Sequence, residues 1–303
     1  MAVSPSVAGP EEFVAIDEFE VAEHVTVWQD VWRRVRRNRL SLLGAAIIIV
    51  LGAVSLVSLV WTPYPIFKQG LGPTYEIPSP RHPLGLDQAG RDILSRLMVG
   101  AGISIEVGVG TMLIVALIGV VLGLLSGYYR GRVDAVVSLL INIWYGIPDL
   151  LVVILLVLLF GRSLTNIIIA IAITRWMDMA RLVRGQTLSL REREFVEAAR
   201  AIGTRNSLIL GRHILPNALG PILVAATFAV PQAILFEAFL SFLGLGVPPP
   251  TPSWGSMAAD GFHSLELAPH IVLAPAIALS VTLMAFNFVG DGLRDALDPR
   301  MRR

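Results

Sequence analysis

Cysteine is absent from all 303 residues, so the chain has no disulfide, no thiolate nucleophile and no cysteine-held metal, and its redox compartment cannot be read. Lysine is almost absent: Lys68 stands alone, between Phe67 and Gln69. A phosphate-cradling Walker loop needs Gly-Lys-Ser/Thr; none exists here, so any nucleotide hydrolysis must come from a partner. Charge is scarce, at 16% of residues against about 25% in an ordinary soluble domain. The five histidines (His24, His82, His213, His263, His270) have no metal-ligand spacing. No HExxH motif or Ser-His-Asp arrangement suggests a membrane-embedded enzyme. The first forty residues are polar, and none of them reads as a cleavable apolar leader.

What remains is apolar. Hydrophobic residues make up 54% of the chain and mean hydropathy is +0.69, which describes an all-α polytopic membrane protein. Residues 1–39 read as a polar tail that could form a short surface helix from Phe13 and ends in the basic cluster Trp32-Arg-Arg-Val-Arg-Arg-Asn-Arg39. Residues 40–61 carry no charge and, at 1.5 Å per residue, cross about 30 Å of hydrocarbon. Residues 62–102 read as a proline-rich loop outside the membrane, with a short amphipathic helix from Gln88. Residues 103–290 hold five further spans: 107–129, 135–160 with a kink at Pro148-Asp149, a short fourth from Ile167, 217–236 and 271–290. Gly244, Gly246, Pro248, Pro249, Pro250 and Pro252 rule out a continuous helix across 237–267. Residues 291–303 form a basic tail.

Six spans put both termini on one face. All but five of the 24 Lys and Arg fall on that face, the exceptions being Lys68, Arg81, Arg91, Arg96 and Arg162. The positive-inside rule makes it cytoplasmic. The basic clusters at 33–39 and 300–303 suit anchoring near anionic lipid, and no nucleic-acid partner is expected.

Between the fourth and fifth spans lies a polar block, 186–216. Ser189 and Glu192 have capping-box spacing, which predicts a helix start there and helix through Glu194 to Ile202. Gly203 fits a left-handed C-terminal position. A second helix starts near Thr204 to Asn206 and should end by Pro216. Ala198, Ala199 and Ala201 give the first helix a narrow face on which another surface could seat. On periodicity alone, an ordinary helical loop fits equally well.

Ionisable groups near the spans are candidate pathway residues by default. Asp149, beside the Pro148 kink, is the strongest. Arg175 and Asp178 are spaced i, i+3 and are expected to pair with each other, with a pathway role as the alternative. Glu106, Glu237 and Asp291 fall near span ends, where water is within reach; Glu237 is kept as a pathway candidate. Gly119, Gly123 and Gly127 make a small-residue stripe, suited equally to packing within the chain or against a second subunit.

The block Glu197-Ala198-Ala199, then Gly203, then Leu215-Pro216, resembles the EAA loop of ABC importer permeases. Where the general pattern has isoleucine, this sequence has His213, followed by Ile214. Arg212-His-Ile-Leu-Pro-Asn217, the region Trp32–Gly44, the stretch His82–Arg96 and Glu237–Gly246 running on to Pro252-Ser-Trp-Gly255 are similar to the dipeptide/oligopeptide subfamily, most of all its C-type subunit. The likeness covers about residues 30–300. Gly102 and Arg175 depart from it, since the family often has arginine at the first position and a small or polar residue at the second. The resemblance implies a MetI-like type I importer fold with six transmembrane helices in a bacterial plasma membrane. It further implies a homologous second permease, two ATPase subunits that carry ATP and Mg and grip the loop at Glu197, Ala198, Ala199, Gly203, His213, Leu215 and Pro216, and an extracytoplasmic binding protein. Substrates in such a family include peptides, nickel chelates and glycans. The rival class, an ion-coupled carrier acting alone, calls for inverted repeats and mid-membrane acidic relays, and neither is clear here.

Overall fold

Backbone amides in hydrocarbon must find partners within their own segment, and a helix supplies them. In the computed structural model, which describes residues 27–297, the elements are accordingly helical. The surface helix expected from Phe13 and the last residues of the basic tail lie outside that range. α1 (Val27–Arg37) carries the basic cluster. Asn38 ends it and caps α2 (Arg39–Ser58), its side-chain oxygen accepting from the amides of Leu40 and Ser41.

α3 (Ile93–Tyr129) is one helix of 37 residues. The sequence divides this region into an amphipathic helix, a boundary at 102 and a span from 107. The structure joins them, because nothing between Ile93 and Val107 breaks a helix. Its N-cap, Asp92, accepts from the amide and hydroxyl of Ser95 through one oxygen and holds His82 Nδ1 at 3.0 Å through the other. Nearby, Asp87 pairs with Arg91 at 2.6 Å and faces Arg96. Burial pushes the Asp260 carboxyl above its ordinary value, partly offset by Arg96 and Arg91.

The third span is not a kinked helix. It is two helices, α4 (Gly131–Tyr145) and α5 (Asp149–Phe160), meeting at 88°. Residues 146–148 leave the helix altogether, as a proline that restricts its predecessor allows. α6 (Leu164–Arg191) starts at its cap Ser163 and runs straight through Ser189, so the expected capping box does not form. Glu192 instead reaches Arg130 at 2.7 Å. α7 (Glu194–Ala201) follows, then α8 (Asn206–Leu208), a π-helical turn Ile209–Ile214 and α9 (Leu215–Phe242). The helix therefore does not stop before Pro216. Pro216 has no N–H for the Arg212 carbonyl, and the widened turn absorbs that missing bond. α10 (Trp254–Phe262), closed by a Ser253/Ser256 capping box, and α11 (His270–Leu297) complete the described chain.

Among the described residues, four helices are long and apolar enough to cross a membrane: α2, α3, α9 with its leading turns, and α11. The bent pair α4–α5 makes a fifth if counted as one span. α6 has the length but also carries Arg175, Asp178, Arg181 and Arg184. α3 sits at the centre, packed most extensively on α6 and also on α9 and α2, and α11 bridges α2 and α9.

The glycine stripe is spent within the chain. A Cβ on Gly119 would lie 2.6 Å from Met179 Cβ, one on Gly123 2.7 Å from the Ala180 carbonyl, and one on Gly127 2.7 Å from Thr187 Cβ. All three neighbours are on α6, so small residues bring two backbones together as in close-packed membrane helices. Replacing Gly123 by valine should therefore lower the melting temperature of the purified chain by about 5 °C or more. Gly185→Ala, where a Cβ meets no atom within 4 Å, should leave it within a degree or so. Equal melting of the two variants would contradict this packing.

Candidate functional site

The polar block folds into a packed projection. Every third or fourth residue of α7 turns inward: Val196 is fully buried and Ala199 nearly so. They join a cluster with Leu124 and Tyr128 of α3, Val183 of α6, and Ile209 and Ile214 of the π-turn. Burial of this kind contributes about 1.5–3 kcal/mol for a valine-sized side chain. The opposite face is open, with Glu197, Ala198, Ala201 and Ile202 exposed, Ile202 to 83%. Phe195 and Leu208 add exposed apolar surface on either side. This divides the alanines that the sequence grouped together. Ala199 seats the helix on its own protein, while Ala198 faces outward.

The end of α7 is a Schellman turn. The Thr204 amide donates to the Ala199 carbonyl at 3.0 Å and the Gly203 amide to the Arg200 carbonyl at 2.9 Å. Gly203 sits at φ +77°, where a side chain is strained. His213 is half-buried within the π-turn and its carbonyl accepts from Asn217 at 2.6 Å. Leu215 packs against the buried cluster, and Pro216 is exposed.

Sequence reasoning missed the clamp around Tyr128. Its hydroxyl donates to Asn206 at 2.8 Å, its carbonyl accepts from Arg191, and the guanidinium groups of Arg200 and Arg191 lie 5.4 and 5.8 Å from its ring centre. A tyrosine at a span end reads simply as an interfacial aromatic, which is why it drew no notice. Beside it, Arg184 grips Asp134 through two bonds of 2.5 and 2.8 Å, and the Ser126 hydroxyl donates to the same carboxylate. The start of α4 is thereby tied to α6 and α3.

Midway along the helices, α3, α6 and α9 line a half-open cavity of about 310 Å³ with Arg175, Asp178, Thr111, Met179, Phe228 and Gln232 in its wall. Arg175 does not pair with Asp178. It pairs with Asp149 at 2.7 Å and lies 4.9 Å from the Phe236 ring centre, while Asp178 accepts from the Tyr145 hydroxyl at 2.5 Å. The break at 146–148 lets α5 turn back and present Asp149 to α6, which a smooth helix could not do. Glu237 is elsewhere and, contrary to its expected place near water at a span end, is fully buried. One of its oxygens accepts from Ser241 at 2.8 Å and Ser253 at 2.7 Å, fastening the N-cap of α10 to α9. Glu106 and Asp291 are exposed on the bundle surface.

Residues 119–303 match a family described as the binding-protein-dependent transport system inner membrane component, and residues 26–78 match the N-terminal TM domain of oligopeptide transport permease C. The chain is 44% identical over 279 residues to the oligopeptide transport system permease protein OppC of Bacillus subtilis (strain 168), covering 92% of each. It is 44% identical over 277 residues to the dipeptide transport system permease protein DppC of the same organism, covering 91% of this chain and 86% of that one. It is also 43% identical over 279 residues to OppC of Escherichia coli (strain K12), covering 91% and 92%. Among solved structures, an inward-facing conformation of the MetNI methionine ABC transporter is similar in fold, with TM-score 0.53 at 19% identity over 66% of this chain and 95% of that one.

The turn at Gly203 can be tested in isolation from any partner. Gly203→Val should cost about 1–2 kcal/mol locally, seen as roughly tenfold faster hydrogen exchange of the α7 amides. Ala198→Ser should leave exchange unchanged. Undiminished protection in the valine variant would mean the turn does not hold α7 in place.

Proposed function

This chain belongs to the family of binding-protein-dependent transport system inner membrane components, as a C-type oligopeptide/dipeptide permease, and we propose that it forms half of the translocation pathway of an ATP-driven importer of di- or oligopeptides or a related small solute. Its partners are a homologous second permease, two ATPase subunits that bind ATP and Mg²⁺, and an extracytoplasmic binding protein. It lies in the bacterial plasma membrane with six crossings, α4–α5 and α6 supplying two of them, and both termini in the cytoplasm.

The observation that carries this reading is the seating of α7. A helix fixed by buried Val196 and Ala199, closed by a Schellman turn at Gly203 and clamped around Tyr128 transmits force without bending. It rests on the ends of α3, α6 and α9, whose middles line the cavity. Its outer face, with Glu197, Ala198, Ile202 and Phe195, offers a partner both a charge and apolar surface. ATPase closure moves two such projections together and, with each, the helices on which it is seated. A lone ion-coupled carrier has no use for a projection of this kind.

The absence of cysteine helps the test, because an introduced thiol is unique within this chain. In the assembled importer, Ala198→Cys should cross-link to an ATPase subunit with a short bifunctional reagent. Gly203→Pro and Ala199→Trp should abolish ATP-driven uptake while membrane insertion survives. Normal uptake by either variant, or uptake by the purified chain alone in liposomes without nucleotide, would refute the assignment.

A further inference from the structure

We propose that the cavity between α3, α6 and α9 is a transit site for a small zwitterion, with Arg175 receiving a carboxylate and Asp178 an ammonium group. This rests on the permease reading above and adds to it a place and a chemistry for the solute inside this chain.

Size comes first. The cavity, about 310 Å³, sits at the lower end of the range of small-molecule sites, roughly 300–1,000 Å³. Its wall is mostly apolar, with a few polar groups converging on it, which is how such sites fix orientation. It also leads somewhere. A second hollow of about 460 Å³, lined by Pro221, Val224, Arg294 and Leu297, shares Leu182, Ala225 and Phe228 with it. Pro221 and Leu297 lie toward the ends of α9 and α11 nearest the seat of α7, so the two hollows line one route toward that end.

Charge comes second. Among the described residues lining the cavity, the charged ones are Arg175 and Asp178. Charges at this depth are costly unless used, and these two are held rather than neutralised by each other. Asp149 contacts Arg175 Nη2 at 2.7 Å, and a guanidinium has several further N–H donors in a planar fork suited to carboxylate. The Phe236 ring covers one face of the guanidinium and so restricts its approach to the other groups around it. Asp178 gives one oxygen to Tyr145, whose ring also has Arg181 stacked at 5.2 Å. A simple anion would meet Arg175 but be repelled by both Asp149 and Asp178. A simple cation would be repelled by Arg175. A zwitterion satisfies both signs at once. Positions i and i+3 on a helix place Cβ atoms about 5–6 Å apart, comparable with an extended dipeptide, at most about 7 Å long.

A further polar group supports the reading. Thr111 of α3 is 2% exposed, lines the cavity, and its hydroxyl has no partner among the described residues. Buried polar atoms are normally satisfied. A peptide bond or terminus lying between Arg175 and Asp178 would supply the missing partner.

The test uses the importer of two permeases and two ATPases in lipid nanodiscs, without its binding protein, so that only the membrane subunits select. Binding of three probes is measured: Ala-Ala, its C-terminal amide and its N-acetyl derivative. The wild type should bind Ala-Ala about tenfold more tightly than either capped form, one charge-assisted bond being lost in each. Arg175→Gln should erase the preference for the free carboxylate alone, Asp178→Asn the preference for the free amine alone, and Arg175→Lys should keep part of the first. Equal affinities for all three probes in the wild type, no binding of Ala-Ala, or an Arg175→Gln variant that weakens all probes alike would overturn the proposal. The importer reading fails separately, if the chain does not co-assemble with ATPase subunits at all.

Discussion

Everything in this molecule hangs on how closely α3 and α6 approach. At Gly119, Gly123 and Gly127 there is no room for a single carbon atom between one helix and the other. A membrane interior gives helices no hydrophobic reason to associate, so close backbone contact and dispersion must do it. The three glycines provide that contact over about two turns. They register the helices so that Tyr128 and Val183 come together at one end and Thr111 and Arg175 border one cavity in the middle.

From that registration a line of force can be traced. α7 lies on a floor built by α3, α6 and the π-turn that leads into α9. A load applied to its exposed face would pass through Val196 and Ala199, its buried contacts with those helices. The same helices form the cavity wall further along, and α9 continues to Glu237, which fastens Ser253 and the start of α10 on the far side. One helix thus joins the seat, the cavity and the opposite face. The π-turn at Ile209–Ile214 is the point where this line departs from regular helix, set there by a proline that cannot complete the usual bond.

Much of this was legible in the sequence. The uncharged runs located the apolar helices, Gly203 announced its left-handed turn, and the EAA block with Leu215-Pro216 pointed to the family. Three of the failures share a cause: each depended on a partner distant in sequence. Ser189 has the spacing of a cap, yet α6 continues through it because Val183 and Thr187 are packed on α3 and hold the helix in place. Arg175 and Asp178 have the spacing of a pair, yet Asp149 and Tyr145 come from another segment and take one each. Glu237 lies at the end of an apolar run and reads as solvated, until Ser253 of the returning chain, together with Ser241 one turn further along α9, covers it. Pro216 reads as a stop, though a wider turn lets the helix pass through.

The central claim is that α7 moves as one body with the helices that wall the cavity. It is tested most directly by placing spin labels at Ala198→Cys and Leu182→Cys in the cysteine-free chain and measuring their separation in the assembled importer with and without ATP. The account predicts one narrow distance distribution that does not move with nucleotide. A broad distribution, or one that shifts when ATP is added, would contradict it.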